Sequence, residues 1–321
     1  MDEARRAALI KALSAYLPAQ RLQELAPMSR YTTLHLGGPA DVLADLASAA
    51  ELSQALGCAA QQDAPVTVIG NGSNLLVRDG GIRGLVVRVG EHMAGISAPT
   101  PLPDGRVALT AQAGASLAKL CAAAAEAGLT GLEFASGIPG TVGGAVCMNA
   151  GAYGGEMKDV VHAVTTRAPD GRSGAYSNAD MRFGYRQSRL NQGGGLEIVT
   201  SATVALVPGD PAAIREAMRD FAARRRDKQP LTLPCCGSTF KRPPGHFAGT
   251  LIEGCGLKGL RVGGASVSQK HAGFLVNDQA GTAADYLALM AQVQRAVYEQ
   301  TGVRLEPEVR ILGEDAPKYP A

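Results

Sequence analysis

The stretch 131–155, GLEFASGIPGTVGGAVCMNAGAYGG, places glycine at 131, 137, 140, 143, 144, 151, 154 and 155. Glycine surrenders more backbone freedom on ordering than any other residue, so this density marks positive φ or a close approach of main chain to something else. Between Gly137 and Gly144 there is no Lys, Arg or His. An anion bound there is held by main-chain N–H groups, with the Thr141 hydroxyl and a helix N-terminus after Pro139 in support. That is how a pyrophosphate is gripped without salt bridges. A glycine-rich turn that lets two elements cross tightly accounts for the same residues equally well, and spacing alone does not separate the two. A second cation-free loop, Gly70-Asn71-Gly72-Ser73-Asn74, follows the apolar run 66–69. Leu75 stands where G-x-G-x-x-G needs its last glycine and no G-K-[ST] follows, so neither a Rossmann fingerprint nor a P-loop is present. Asn71-Gly72-Ser73 has the form of a glycosylation sequon, a reading that fails without a signal peptide.

The elements that position these loops are legible in outline. Residues 1–17 read as an amphipathic helix stopped by Pro18. Residues 42–46 and 66–69 read as strands, and 48–58 as a helix with Ser48 as N-cap. Residues 85–89 and 107–111 are strands, and 116–127 is an Ala-rich helix ending at Gly128. Residues 160–167 and 173–177 flank Pro169-Asp170-Gly171 as a hairpin, and 196–207 is a further strand. Pro208-Gly209-Asp210-Pro211 is the best boundary signal and opens a helix over 212–228, whose cationic end suits the helix dipole. Beyond it, 248–256 reads as a helix, 264–268 and 273–277 as strands, and 282–301 as a helix capped by Thr282. Residues 305–312 read as a closing strand whose alternation puts Glu306, Glu308 and Arg310 on one face. The expected domains are 1–208 and 209–321.

Composition narrows the class. A chain of 321 residues suggests about two domains with a sizeable core. Net charge is +2 and aromatics make up 4%, which disfavours nucleic acid as a partner. The six cysteines, at 58, 121, 147, 235, 236 and 255, form no C-x-x-C pair, and the five histidines are scattered. Neither a metal site nor a disulfide framework is expected. Residues 1–17 lack the apolar core of a signal peptide, and no stretch approaches the ~20 apolar residues of a membrane span. The expectation is a soluble cytoplasmic protein with no membrane insertion.

Assembled in order, several strings resemble the UDP-N-acetylenolpyruvoylglucosamine reductase (MurB) family of bacterial wall synthesis. They are Thr32-Thr33 with Gly37-Gly38-Pro39-Ala40-Asp41, then 70–76, 131–154, Tyr185-Arg186-Gln187-Ser188, 237–243, 263–277 and 305–310. The resemblance implies an α+β protein: a two-part FAD-binding domain of the vanillyl-alcohol-oxidase (PCMH) type, then an α/β substrate-binding domain. It decides the earlier tie in favour of pyrophosphate. Non-covalent FAD is expected on Gly70, Asn71, Gly72, Ser73 and Asn74, and on Gly137, Ile138, Pro139, Gly140, Thr141, Gly143, Gly144 and Ala145. Tyr31, Thr33 and Gly38, with Asn149 and Gly151, complete that site.

The resemblance also implies a reaction in two halves. NADPH reduces the flavin; UDP-N-acetylglucosamine enolpyruvate then takes hydride on its methylene carbon, leaving an enolate that needs charge stabilisation and a proton. Arg186 matches the family's arginine and suits a carboxylate. Glu308 matches the glutamate that helps stabilise the enolate, and Ser238 matches the proton donor. Tyr185, Lys241, Arg242, Lys270, His271 and Arg310 are expected to meet the substrate, and a monomer is expected. Tyr31 stands where asparagine is common and His35 where many members carry a longer base. The segment 185–206 is short, as in the second type of the family. Two other readings bear weighing: a different FAD oxidoreductase of this fold acting on a hydroxy acid or alcohol, and a nucleotide-binding module without catalysis. Substrate-dependent NADPH consumption and bound flavin, respectively, separate them from the first.

Overall fold

The computed structural model describes residues 1–193 and 196–316. The chain forms two compact units, and neither is continuous in sequence. The first comprises Met1–Gln23, Val42–Asn71 and Gly84–Arg224; the second comprises Glu24–Asp41, Gly72–Arg83 and the chain from Arg225 on. The boundary expected at 208/209 precedes the helix Pro211–Lys228, whereas the units change over inside that helix.

In the first unit the strand Val66–Ile69 pairs in parallel with Ile82–Val89, from Val66↔Leu85 to Ile69↔Arg88. The helix Ala49–Gln61 shares an apolar core with this pair, and Ser48 caps it by accepting from the Glu51 N–H at 3.1 Å. The strand ends directly in the 70–74 loop. An antiparallel sheet runs in the order Ser173–Ser177, Val161–Arg167, Ile198–Pro208, Val107–Gln112, Thr100–Pro101. Its register is set by Val164↔Ala202 on one side and Ser201↔Gln112 on the other. The expected hairpin at 169–171 closes with Gly171 at φ +84. Leu117–Glu126 follows with Ser116 as its cap, and the short helix Val142–Cys147 with Thr141 as its cap. One apolar core, including Leu46, Leu85, Leu109, Leu120, Val142 and Val204, joins these layers.

In the second unit Arg261–Val262, Ala265–Val267 and Leu275–Asn277 form an antiparallel sheet. The helix Ala283–Thr301 starts at a capping box of Thr282 and Asp285 and stops at Gly302, φ +72. Tyr286, Leu289, Met290, Val293 and Val297 lie on one helical face, all buried against the sheet's core with Phe240, Ile252 and Leu275.

Two expected elements are shorter. The N-terminal helix spans Glu3–Leu13, because the Ser14 hydroxyl bonds back to the Ile10 carbonyl at 2.8 Å and Pro18 disfavours helical backbone before it. The closing strand is only Arg310–Leu312, paired in parallel with Leu75–Val77. Pro307 has no N–H for a ladder and makes a single bridge to Phe240. Strand alternation therefore does not explain where Glu306 and Glu308 lie.

Candidate active site

Gly70, the start of the first cation-free loop, meets the second loop within the first unit. A side chain at Gly70 would run into Thr141 Oγ1, so only glycine allows this approach. Thr141 is 3% exposed, and its hydroxyl accepts from the Gly144 N–H at 3.3 Å. The main-chain donors of the loop divide into two sets. Val142 and Gly143 donate to the carbonyls of Ala115 and Ala113 at 2.8 Å, and Ala145 to that of Thr141 at 2.9 Å. The N–H groups of Gly137, Gly140 and Thr141 have no hydrogen-bond partner among the described residues. Those three, rather than Gly143, Gly144 or Ala145, are the donors left for an anion. Gly140 sits at φ +133, where an L side chain is strained. Packing accounts for others: a Cβ on Gly143 would lie 2.9 Å from Ala113 Cβ, and one on Gly155 2.5 Å from the Phe134 ring. Gly151 is likewise closed off by the Gly155 carbonyl. Close packing thus explains Gly143, Gly151 and Gly155, while the unbonded N–H groups at 137, 140 and 141 are compatible with an anion.

Arg186 lies in the first unit in a tight turn. Gly184 and Gln187 exchange both main-chain hydrogen bonds, at 3.0 and 3.1 Å, leaving Tyr185 and Arg186 as its central pair. Arg186 has φ +55, a left-handed conformation that costs an L residue about 1–2 kcal/mol. The surroundings over-determine it. The Asn149 amide donates to the Gly184 carbonyl at 2.9 Å, and the Asn191 amide to the Arg186 carbonyl at 3.2 Å. Ser188 is fully buried, donates to the Cys147 carbonyl at 2.8 Å, and starts the helix Arg189–Gln192 as half of a capping box with Asn191. Tyr185 is 46% exposed and lies under the Arg186 guanidinium at 5.3 Å. The Asn149 side chain, expected on the cofactor, is instead spent on protein groups.

In the second unit the segment that follows Ser238 pairs with the segment that carries Glu308. The segment 239–241 pairs with 306–308: Lys241 N–H donates to the Glu306 carbonyl and Glu308 N–H to the Thr239 carbonyl, both at 2.8 Å. The Thr239 side chain, fully buried, anchors this pairing through Leu275 N–H at 3.2 Å and Tyr286 Oη at 3.0 Å. The Asn74 amide donates to the Glu308 carbonyl at 3.1 Å while its own carbonyl accepts from Arg310 N–H at 3.0 Å. Ser238 follows Gly237 at φ +79, is half-buried, and its hydroxyl has no hydrogen-bond partner among the described residues. The Cys236 thiol beside it is pushed up to about 12 by burial, so Cys236 serves as packing.

In the same unit the Gly72 turn, φ +62, closes on the Tyr31 carbonyl, and Thr33 N–H donates to the Gly72 carbonyl at 3.3 Å. Gly38 is as tight against the Asp79 carbonyl. The Thr33 hydroxyl donates to the Cys235 carbonyl at 2.6 Å. Among the expected substrate contacts, Lys241 pairs with Glu306 at 3.3 Å and Arg242 stacks over Phe247 at 4.5 Å. Lys270 Nζ bonds the Arg226 carbonyl. His271 Nδ1 accepts from Gly273 N–H at 3.0 Å, and burial lowers its pKa below the usual 6.5, so the ring is a neutral turn lock. The exposed Arg310 side chain carries no partner among the described residues.

Among the described residues, Asp45, Glu91 and His92 bring possible metal ligands within 4.8 Å of one another. Arg88 bonds Asp45 at 2.5 Å and reaches within 3.8 Å of Glu91, so a guanidinium already supplies the positive charge there.

Two family models match the chain: an FAD binding domain over residues 40–173 and the C-terminal domain of UDP-N-acetylenolpyruvoylglucosamine reductase over 229–312. A reductase of that name from Lactobacillus delbrueckii subsp. bulgaricus is 50% identical, covering 92% of this chain and 96% of its own. One from Agathobacter rectalis is 47% identical over 95% of this chain and 98% of its own. The chain belongs to the UDP-N-acetylenolpyruvoylglucosamine reductase family. The crystal structure of the Thermus caldophilus family member superposes with a TM-score of 0.73 at 36% identity, covering 91% of this chain and 98% of that one.

Family membership bears out the expected α+β class with an FAD-binding domain. The residues present fit that cofactor. In the first unit Gly70 admits no side chain, and the free donors at 137, 140 and 141 suit a pyrophosphate without a cation. Asn191, Glu156, Thr239 and Tyr286 escaped the sequence reading. Only Asn191 left a local signal, its capping-box spacing from Ser188. Thr239 and Tyr286 meet across 47 residues of chain, which no local pattern reveals.

Proposed function

We propose that this chain reduces UDP-N-acetylglucosamine enolpyruvate to UDP-N-acetylmuramate, a peptidoglycan precursor, with non-covalent FAD and with NADPH as electron donor. It acts as a cytoplasmic monomer. Among the described residues no helix is long and apolar enough to cross a membrane. The observation that supports the reading is the main-chain pairing of 239–241 with 306–308, which joins the segment after Ser238 to the one that carries Glu308, in a chain 50% identical to a family member over 92% of its length.

Bound FAD supplies the hydride chemistry. The chain's residues handle charge and protons. Net reduction adds hydride to the methylene carbon and a proton to the carbon that bears the carboxylate. Arg186 forks onto that carboxylate, its guanidinium aimed by a backbone with little freedom left. Glu308 lies against the oxygens on which the enolate charge grows, and shares a proton there. Ser238 hands its proton to carbon. Such acid–base help is worth about 10²–10⁴-fold in rate. Arg310, exposed and without a partner among the described residues, is the cation best placed in its own unit to meet a further anionic group of the substrate.

The test is enolpyruvyl-substrate-dependent oxidation of NADPH by the purified yellow protein, with the product identified by mass spectrometry. NADPH oxidation that ignores the sugar nucleotide, or a colourless protein that gains no activity from added FAD, would overturn the proposal.

A further inference from the structure

Asn149 is 1% exposed and holds a left-handed backbone, φ +43. Its side chain makes three hydrogen bonds to neighbours in the first unit, using both amide protons. Oδ1 accepts from Lys158 N–H at 2.9 Å; Nδ2 donates to Glu156 Oε2 and to the Gly184 carbonyl, both at 2.9 Å. Gly184 opens the turn that holds Arg186. Glu156 also pairs with Lys158 Nζ at 2.8 Å. Burial works against its charge, but bonds from Lys158 and Asn149 and the charges of Lys158 and Arg186 hold its carboxyl below the ordinary value. One amide therefore ties the main chain of the Arg186 turn to a carboxylate whose charge Arg186 feels.

We infer that Asn149 and Glu156 are positioning residues for Arg186. Asn149 fixes the turn, and Glu156 gives the guanidinium a stationary counter-charge that limits its orientations before substrate arrives. A guanidinium on an exposed turn otherwise samples many rotamers, and ordering it at each encounter costs conformational entropy. A fixed partner removes that cost in advance. The inference rests on Arg186 being the group that receives the substrate carboxylate.

The test separates the two half-reactions in Glu156→Gln and Asn149→Ala, alone and combined with Arg186→Ala. Glu156→Gln keeps an acceptor for Asn149 but removes the charge. Both single variants should bind FAD and be reduced by NADPH at the wild-type rate. Reoxidation by the enolpyruvyl substrate should slow by roughly tenfold to a hundredfold, the loss expected from a misplaced group. In the Arg186→Ala background Glu156→Gln should add nothing, because its only route to the substrate is gone. Equal slowing of both half-reactions, or a full additional loss on Arg186→Ala, would overturn the inference, as would reoxidation at the wild-type rate in Glu156→Gln. Should Asn149→Ala fail to fold, Glu156→Gln decides alone. A wild-type protein that the enolpyruvyl substrate never reoxidises would instead sink the functional proposal, and this inference with it.

Discussion

Replacing Thr239 with valine tests how the second unit anchors the segment that follows Ser238 against the one that carries Glu308. Thr239 is fully buried; its hydroxyl accepts from Leu275 N–H at 3.2 Å and lies 3.0 Å from Tyr286 Oη. Valine keeps the shape and accepts nothing. Leu275 N–H is then buried without its partner, while Tyr286 Oη retains the Leu275 carbonyl and Cys236 Sγ, each at 3.3 Å. An unsatisfied buried donor costs about 1–3 kcal/mol, and the lost phenol bond adds about 1 kcal/mol. At roughly 2–4 °C per kcal/mol for a domain of this size, the melting temperature should fall by roughly 5–15 °C. Differential scanning fluorimetry reads this directly, with Thr239→Ser as the variant that restores the hydroxyl. Well below both midpoints, Thr239→Val should be reduced by NADPH normally and reoxidised slowly, since the segment carrying Ser238 has lost an anchor. An unchanged melting temperature would refute the hydrogen-bond argument. Equal slowing of both half-reactions would refute the link to Ser238.

The remaining expectations concern glycine, thiols and pH. Gly143→Ala should lower stability by about 1–3 kcal/mol through overpacking on Ala113 yet retain FAD, whereas Gly140→Val should yield flavin-free protein; denaturant melts and flavin absorbance distinguish them. Burial pushes the Cys121 and Cys236 thiols up to about 12, so a thiol reagent at mildly alkaline pH should leave both unlabelled until the protein unfolds, as peptide mass spectrometry would show. His271 has a folded pKa below 6.5 because it is buried, so between the folded and unfolded values the unfolded chain binds more protons. Its contribution to stability is full above the unfolded value and is lost as pH falls through that window. His271→Asn, which can still accept from Gly273 N–H, should flatten the pH dependence of the melting temperature there.

Local chemistry made much of the frame readable. The strand Val66–Ile69 lies where an apolar run ends at a glycine, and Ser48, Ser116 and Thr282 cap the helices whose starts they mark. What escaped is non-local. Pro307 breaks the ladder that alternation over 305–312 implies, so Glu308 is aimed by pairing with Thr239 and by the Asn74 amide, groups far away in the chain. Both units are assembled from separated segments, so a composition change near residue 209 cannot mark their limits. The glycine stretch mixes two demands that look alike in sequence: close packing at Gly143 and Gly155, and positive φ at Gly140. Asn149 has no local signature, because its buried amide acts on a turn 35 residues away.

The most direct measurement is an anaerobic stopped-flow record of flavin absorbance in wild type and Ser238→Ala, first mixed with NADPH and then with UDP-N-acetylglucosamine enolpyruvate. The wild type should bleach with NADPH and recover with the sugar nucleotide; Ser238→Ala should bleach at the same rate and stay bleached. Recovery of Ser238→Ala at the wild-type rate, or its failure to bleach, would contradict the role given to Ser238. A wild type that never recovers would contradict the proposed reaction itself.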